Sequence, residues 1–241
     1  MIQDLDQPAV ARARRIQENP SPTSHLTTNG ATLFQNACSQ HQQGDIHSAE
    51  QLYQQAVQAD PNLHGAWRNL GALLRQQGKT KEARHCTEQA LKLDSSDGSL
   101  WGNYGNVLRD QGLLEESCKA FQEGLQRAPG SRGLLQGLAI SLGQRGEHRQ
   151  VVELLTPAVD DAFALAGHGD NALAELLLEL GNAHHALGEK DQALLRWREG
   201  THGAEGEKRL FIGLNIAQVL CGDKQFSEAA QLCQELEPLF P

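Results

Sequence analysis

Two adjacent segments of 34 residues, HGAWRNLGALLRQQGKTKEARHCTEQALKLDSSD (64–97) and GSLWGNYGNVLRDQGLLEESCKAFQEGLQRAPGS (98–131), carry the same residues at the same offsets. Trp67 aligns with Trp101, Asn69 with Asn103, Gly71 with Gly105, Leu74 with Leu108, Arg75 with Arg109 and Gly78 with Gly112. A fixed period of this length marks an array of one repeated supersecondary unit. Length alone, 241 residues, is compatible with one or two globular domains, so the period decides the architecture. With 39% hydrophobic but only 5% aromatic residues, the chain is suited to many small contacts between helices rather than one large aromatic core.

The motifs W-R-N-L-G-A-L-L and W-G-N-Y-G-N-V-L resemble the tetratricopeptide-repeat (TPR) family, whose unit is a helical hairpin. Small residues at the eighth position of the repeat (Gly71, Gly105, Gly181) let the first helix, A, approach the second, B. Neither helix buries its apolar face alone, so the hairpins must stack. The resemblance implies an all-α, right-handed superhelical solenoid of about six repeats.

Carried backwards, the register gives a repeat at 30–63, with Gly44 at the turn, Ala49, Tyr53 and Ala56 on helix B, and Pro61 closing it. Residues 30–131 thus read as three regular repeats. The opening LFQNACSQHQQGDIHSAEQLYQQAVQADPN resembles the first repeat of arrays fused to bacterial glycosyltransferases and sulfotransferases. Residues 132–173 read as a degenerate repeat and an irregular joint. Pro157 falls inside a second helix, which is expected to kink or shorten, and 166–173 breaks the period as a loop or as an extension of the next first helix. Two further repeats occupy 174–241. Residues 1–29 read as a flexible leader with a short helix from Pro8 to Glu18. No polar capping helix follows the last repeat, which points to a continuing polypeptide or to homo-oligomerisation through that end.

In a TPR array the A helices line the concave groove, so their solvent-facing positions, 2, 5, 6, 9, 12 and 13 by helical spacing, are where a ligand is read. In the second and third repeats these supply Arg68, Asn69, Arg75, Asn103, Asn106 and Arg109 as candidate peptide-binding residues. An amide at position 6 both donates to and accepts from a peptide backbone. Asn69, Asn103 and Asn215 share that position, which resembles the asparagine ladder of O-linked N-acetylglucosamine transferases, although Gln35, Gly137 and Glu179 interrupt it. The competing reading is Asn tolerated on a polar helix face. Arg75 and Arg109 are placed either to hold a carboxylate or to pair with neighbours such as Asp110. The two-carboxylate clamp of chaperone-binding TPR domains is absent, since Phe34 and Cys38 stand where its Lys and Asn are needed.

Net charge of −9, from 30 acidic and 21 basic residues, argues against nucleic acid and anionic membrane as partners. No apolar run reads as a signal peptide or a membrane span, and the expected location is cytoplasmic. Five cysteines without a C-x-x-C pair read as free, mostly buried thiols rather than metal ligands or disulfides. His184 and His185 are adjacent and point about 100° apart on a helix, so they do not chelate one metal; one is expected to pack and one to be exposed. Neither a P-loop nor a G-x-G-x-x-G fingerprint occurs. The expectation is a non-catalytic scaffold without cofactor or metal, binding a peptide or partner helix. The alternative is the substrate-recognition region of a larger glycosyltransferase.

Overall fold

The computed structural model describes residues 22–166 and 171–239, and among these the chain is an uninterrupted series of α-helical hairpins. The first three are α1 (Pro22–Gln42) with α2 (Ile46–Ala59), α3 (His64–Gln76) with α4 (Thr80–Leu93), and α5 (Gly98–Asp110) with α6 (Leu114–Arg127). They are followed by α7 (Arg132–Gln144) with α8 (His148–Ala166), α9 (Asn171–Ala186) with α10 (Lys190–Gly203), and α11 (Gly206–Gly222) with α12 (Phe226–Leu236). Odd-numbered helices are the A helices, and α3, α5, α7 and α9 touch in succession to form one layer.

One turn recurs six times. Counting each repeat from 30, 64, 98, 132, 174 and 210, position 15 has positive φ: Gly44, Gly78, Gly112, Gly146, Gly188 and finally Lys224. The next amide in each turn returns to the carbonyl five residues back, as in Lys79 to Leu74 and Leu113 to Leu108, at 2.8–3.0 Å. That left-handed cap satisfies carbonyls which the end of helix A would otherwise leave bare.

Each hairpin closes around position 8. A Cβ added at Gly105 would meet the Phe121 ring at 2.9 Å, and one at Gly181 would meet Trp197 at 2.4 Å. Ala37 and Ala139 hold the same place, fully buried, in the first and fourth hairpins. At position 4 of the second and third repeats a tryptophan links repeats through its indole N–H. Trp67 Nε1 donates to the Pro61 carbonyl and Trp101 Nε1 to the Ser95 carbonyl, both at 2.9 Å, so each indole ties down the end of the preceding repeat.

The joint at 132–173 is more regular than its composition implies. Rather than shortening, α8 runs 19 residues through Pro157. Leu155 and Val159, on either side of the proline, are fully buried in a core that α6, α7 and α9 share. Pro157 itself and Glu153, whose carbonyl loses its donor, lie on the exposed side of the helix, where water serves as the substitute partner. On its described residues the break in period is taken up from both sides, by α8 running on to Ala166 and by α9 starting at Asn171, with Leu173 and Ala174 buried; residues 167–170 lie outside the described residues. At the other end α1 starts at Pro22, a residue suited to a first helical turn, so 22–29 is helical where a flexible leader is expected. The Pro8–Glu18 helix lies outside the described residues.

Candidate functional site: the A-helix layer

Repeat-to-repeat contacts engage most of the polar positions of the A helices, and they do so by a rule. Where the residue at position 24 of one repeat is aromatic, it meets position 6 of the next, directly or through a shared partner. Where position 24 is Tyr53, the next position 6 is Asn69, whose Nδ2 donates to the Tyr53 hydroxyl at 3.3 Å and reaches Cys38 Sγ at 3.6 Å. Where it is Phe121, the next position 6 is Gly137, because a Cβ there would stand 2.2 Å from the ring. Where it is Trp197, Nε1 donates to Asn182 Oδ1 at 3.2 Å, and Asn215 Nδ2 donates to the same oxygen at 3.4 Å. Where it is Thr87, the hydroxyl turns back to the Ala83 carbonyl at 2.8 Å, and the Asn103 above it has no side-chain hydrogen bond among the described residues.

The three asparagines at position 6 are therefore not equivalent. Asn69 and Asn215 join repeats, while Asn103 keeps a free amide. Arg68 pairs at 3.4 Å with Asp97, the residue that caps α5, and Arg75 pairs at 2.6 Å with Asp110 of the next repeat. Arg109 donates to Asn106 Oδ1 at 2.6 Å and to the Gly137 carbonyl at 3.4 Å, with its guanidinium 5.8 Å from the Phe121 ring centre. Burial lowers its pKa, and the guanidinium stays charged all the same. The structure thus brings Asn103, Asn106 and Arg109 together on α5; it engages Asn69, Arg75 and Arg109 between repeats and Arg68 with the cap of α5.

Next to Arg109, three of the six groove positions of α7 are glycine. Gly133 and Gly143 have nothing within 4 Å of a would-be Cβ, and Gly137 is covered only by the ring beneath it. Beyond α7 lies a cleft of about 260 Å³ lined by Ala139, Ile140, Gly143, Gln144, His148, Val151, Glu179, Asn182 and Ala183. Glu179 is half-buried. Desolvation holds its carboxyl above the usual carboxylate range, opposed by a hydrogen bond from Asn182 and by the charge of Arg109. Sequence reasoning noticed Glu179 only as a break in the asparagine series and passed over Asn182. The available signal was an acid at a position filled elsewhere by neutral residues. Three larger clefts, of about 620, 470 and 360 Å³, border the B helices, and the first two contain the ion pairs Lys79–Glu50 and Arg198–Glu228.

His184 is buried, with Nδ1 2.6 Å from Glu189 Oε2, and His185 is exposed, as expected of the adjacent pair. Among the cysteines only Cys86 and Cys118 are buried; Cys38 is half-buried, and Cys221 and Cys233 are exposed on the last hairpin, so the thiols are not mostly buried. Among the described residues no group of three or more His, Cys, Asp or Glu side chains is placed to hold a metal, and no helix is long and apolar enough to cross a membrane.

Stacked hairpins with a continuous A-helix layer define a helical-repeat solenoid. Residues 40–103 and 98–131 match family models described as tetratricopeptide repeat, so the chain carries tetratricopeptide repeats, and the same turn recurs in the hairpins outside them. No curated protein sequence matches. Among solved structures, PilW, described as a widely conserved type IV pilus biogenesis factor, is 17% identical over 87% of this chain and 92% of its own, with a TM-score of 0.70. Pseudomonas aeruginosa PilF is 20% identical over 90% and 94%, at 0.66. YrrB, described as a TPR protein with an unusual peptide-binding site, is 15% identical over 74% and 89%, at 0.59. At these identities the likeness shows a common fold.

Proposed function

We propose that the chain is a non-catalytic protein-interaction scaffold that binds a peptide or partner helix along its A-helix layer, across the third and fourth repeats. The observation that carries this reading is the free amide of Asn103 beside Asn106 and Arg109, next to the groove glycines of α7. An unengaged amide reads a peptide backbone, a guanidinium donates to a carbonyl or carboxylate, and glycine permits close approach. YrrB, a structural neighbour described by its peptide-binding site, is consistent with it. Replacing Asn103 and Arg109 together with Ala is expected to lower affinity for a captured partner at least about tenfold, the worth of one or two polar contacts, with helical circular dichroism unchanged. Undiminished capture overturns the proposal. Because Asn69 and Asn215 are engaged between repeats, a substrate-reading asparagine ladder of the glycosyltransferase type has one free rung, and the scaffold reading is the better supported.

A second reading, homo-oligomerisation through the last hairpin, is favoured by one observation. Position 24 is buried in the other five repeats (Tyr53, Thr87, Phe121, Leu155, Trp197), whereas its counterpart Cys233 is exposed, as are Phe211 and Leu214 on α11. Light scattering after size exclusion is expected to give an oligomer that Leu214→Lys dissociates; a monomeric parent protein refutes this.

A further inference from the structure

Glu179 stands apart from the other acids of the A-helix layer. Asp97, Asp110 and Glu175 are each paired with a cation, namely Arg68, Arg75 and Lys208. Glu179 has no ion pair among the described residues, although it is among the most desolvated carboxylates they contain. Leaving such a charge without a partner costs stability, and a natural chain keeps one chiefly where a ligand supplies the missing charge.

Its surroundings fit one kind of occupant. Asn182 Oδ1 is taken up by Trp197 Nε1 and Asn215 Nδ2, which leaves the amide hydrogens of Asn182, a neighbour of Glu179 in the cleft lining, available to donate. The cleft is lined by the aliphatic Ala139, Ile140, Val151 and Ala183 together with the polar Gln144, His148 and Asn182, and Glu179 is its single carboxylate. At about 260 Å³ the cleft falls below small-molecule sites, which run to roughly 300–1,000 Å³, and is of a size for one side chain. Aliphatic walls beside a single carboxylate match a side chain with a hydrocarbon stem and a cationic head. Alongside it, Gly133 and Gly143 leave α7 open to an extended backbone.

We propose that the cleft between α7 and α9 is a subsite for one basic side chain, lysine or arginine, of the peptide held along the A-helix layer, with Glu179 as its counter-ion and Asn182 as the residue that positions Glu179. The proposal rests on the scaffold reading above and adds a requirement for charge. It also sets polarity: Arg109 and Glu179 flank α7 from α5 and α9, so an acidic residue of the ligand belongs on the α5 side and the basic one on the α9 side.

The test is a titration of the isotopically labelled full chain, followed by amide chemical shifts, with capped Ala-Lys-Ala, capped Ala-Arg-Ala, the norleucine analogue and free putrescine. Saturable shifts at Ile140 and Ala183 are expected with the lysine and arginine peptides and not with norleucine. In Glu179→Gln, which keeps the size of the side chain and an acceptor for Asn182, binding is expected to weaken about tenfold, the difference between a charge-assisted and a neutral hydrogen bond. Several outcomes overturn the subsite. Norleucine binding at the same residues as lysine retains the groove and removes the charge requirement. Unchanged binding in Glu179→Gln removes Glu179 as counter-ion. Putrescine binding as tightly as the peptides marks a free-amine site, and shifts on no A helix with any probe count against the subsite and the groove together.

Discussion

The Asn69 side-chain amide donates to the Tyr53 hydroxyl across 3.3 Å, joining the A helix of the second repeat to the B helix of the first. This bond lies where a groove-facing asparagine is expected, and it converts a candidate ligand contact into a stacking contact. Asn69→Ala leaves the Tyr53 hydroxyl short of a partner and is expected to destabilise the chain by about 1–2 kcal/mol. Tyr53→Phe combined with Asn69→Ala should cost less than the sum of the two single changes, measured by urea denaturation.

Tyr53 also predicts an alkaline limit. Burial pushes its hydroxyl up to about 12 from an ordinary 10.0. A group whose folded pKa is raised contributes stability that is fully present below the unfolded value and is lost as pH rises through the folded one. Stability is therefore expected to fall between about pH 10 and 12, with a shallower fall in Tyr53→Phe.

How much of this was legible in the chain divides along the range of the interactions. Turns and hairpin contacts are local, so Gly78, Gly112 and the small position-8 residues could be read from a 34-residue period. Contacts between repeats depend on which side chain the preceding repeat places underneath. Asn69 and Asn103 occupy identical positions, yet Tyr53 lies below one and Thr87 below the other, and this pairing shows only once the register of stacking is known. Glu179 escaped notice for the same reason, since its isolation depends on which neighbours are already paired.

The recurring turn gives a prediction of gain. Lys224 has φ of 63° where the five other repeats have glycine. A left-handed non-glycine residue costs about 1–2 kcal/mol. Lys224→Gly is expected to raise stability by about 1 kcal/mol after the entropy cost of glycine is subtracted, and Gly112→Ala to lower it by a similar amount. Thermal denaturation measures both.

Two glycines of α7 should respond in opposite directions. Gly137→Ala drives a methyl into the Phe121 ring and is expected to cost about 1–3 kcal/mol. Gly143→Ala meets nothing within 4 Å and should stabilise the helix by about 0.5–1 kcal/mol. Equal effects would contradict the packing described between the third and fourth repeats.

Glu179 gives a signature in the folded state alone. Its pKa is raised by burial, with Asn182 and Arg109 opposing and Glu175 adding to the rise. Its contribution is most favourable below the ordinary carboxylate range and declines as pH climbs through the folded value. Glu179→Gln is therefore expected to be more stable than the parent at neutral pH, with the gain shrinking in acid. Loss of stability at pH 7 would mean that the carboxylate has a structural partner.

The scaffold reading is tested most directly by where a partner touches the chain. A photo-crosslinking amino acid placed at Asn103, in the A-helix layer, or at the exposed Gln122 of helix B in the same repeat, samples the two surfaces separately. On irradiation in native extract, the account predicts a discrete crosslinked protein from position 103, mapped by mass spectrometry to one short segment, and none from position 122. Crosslinks confined to position 122 would contradict it.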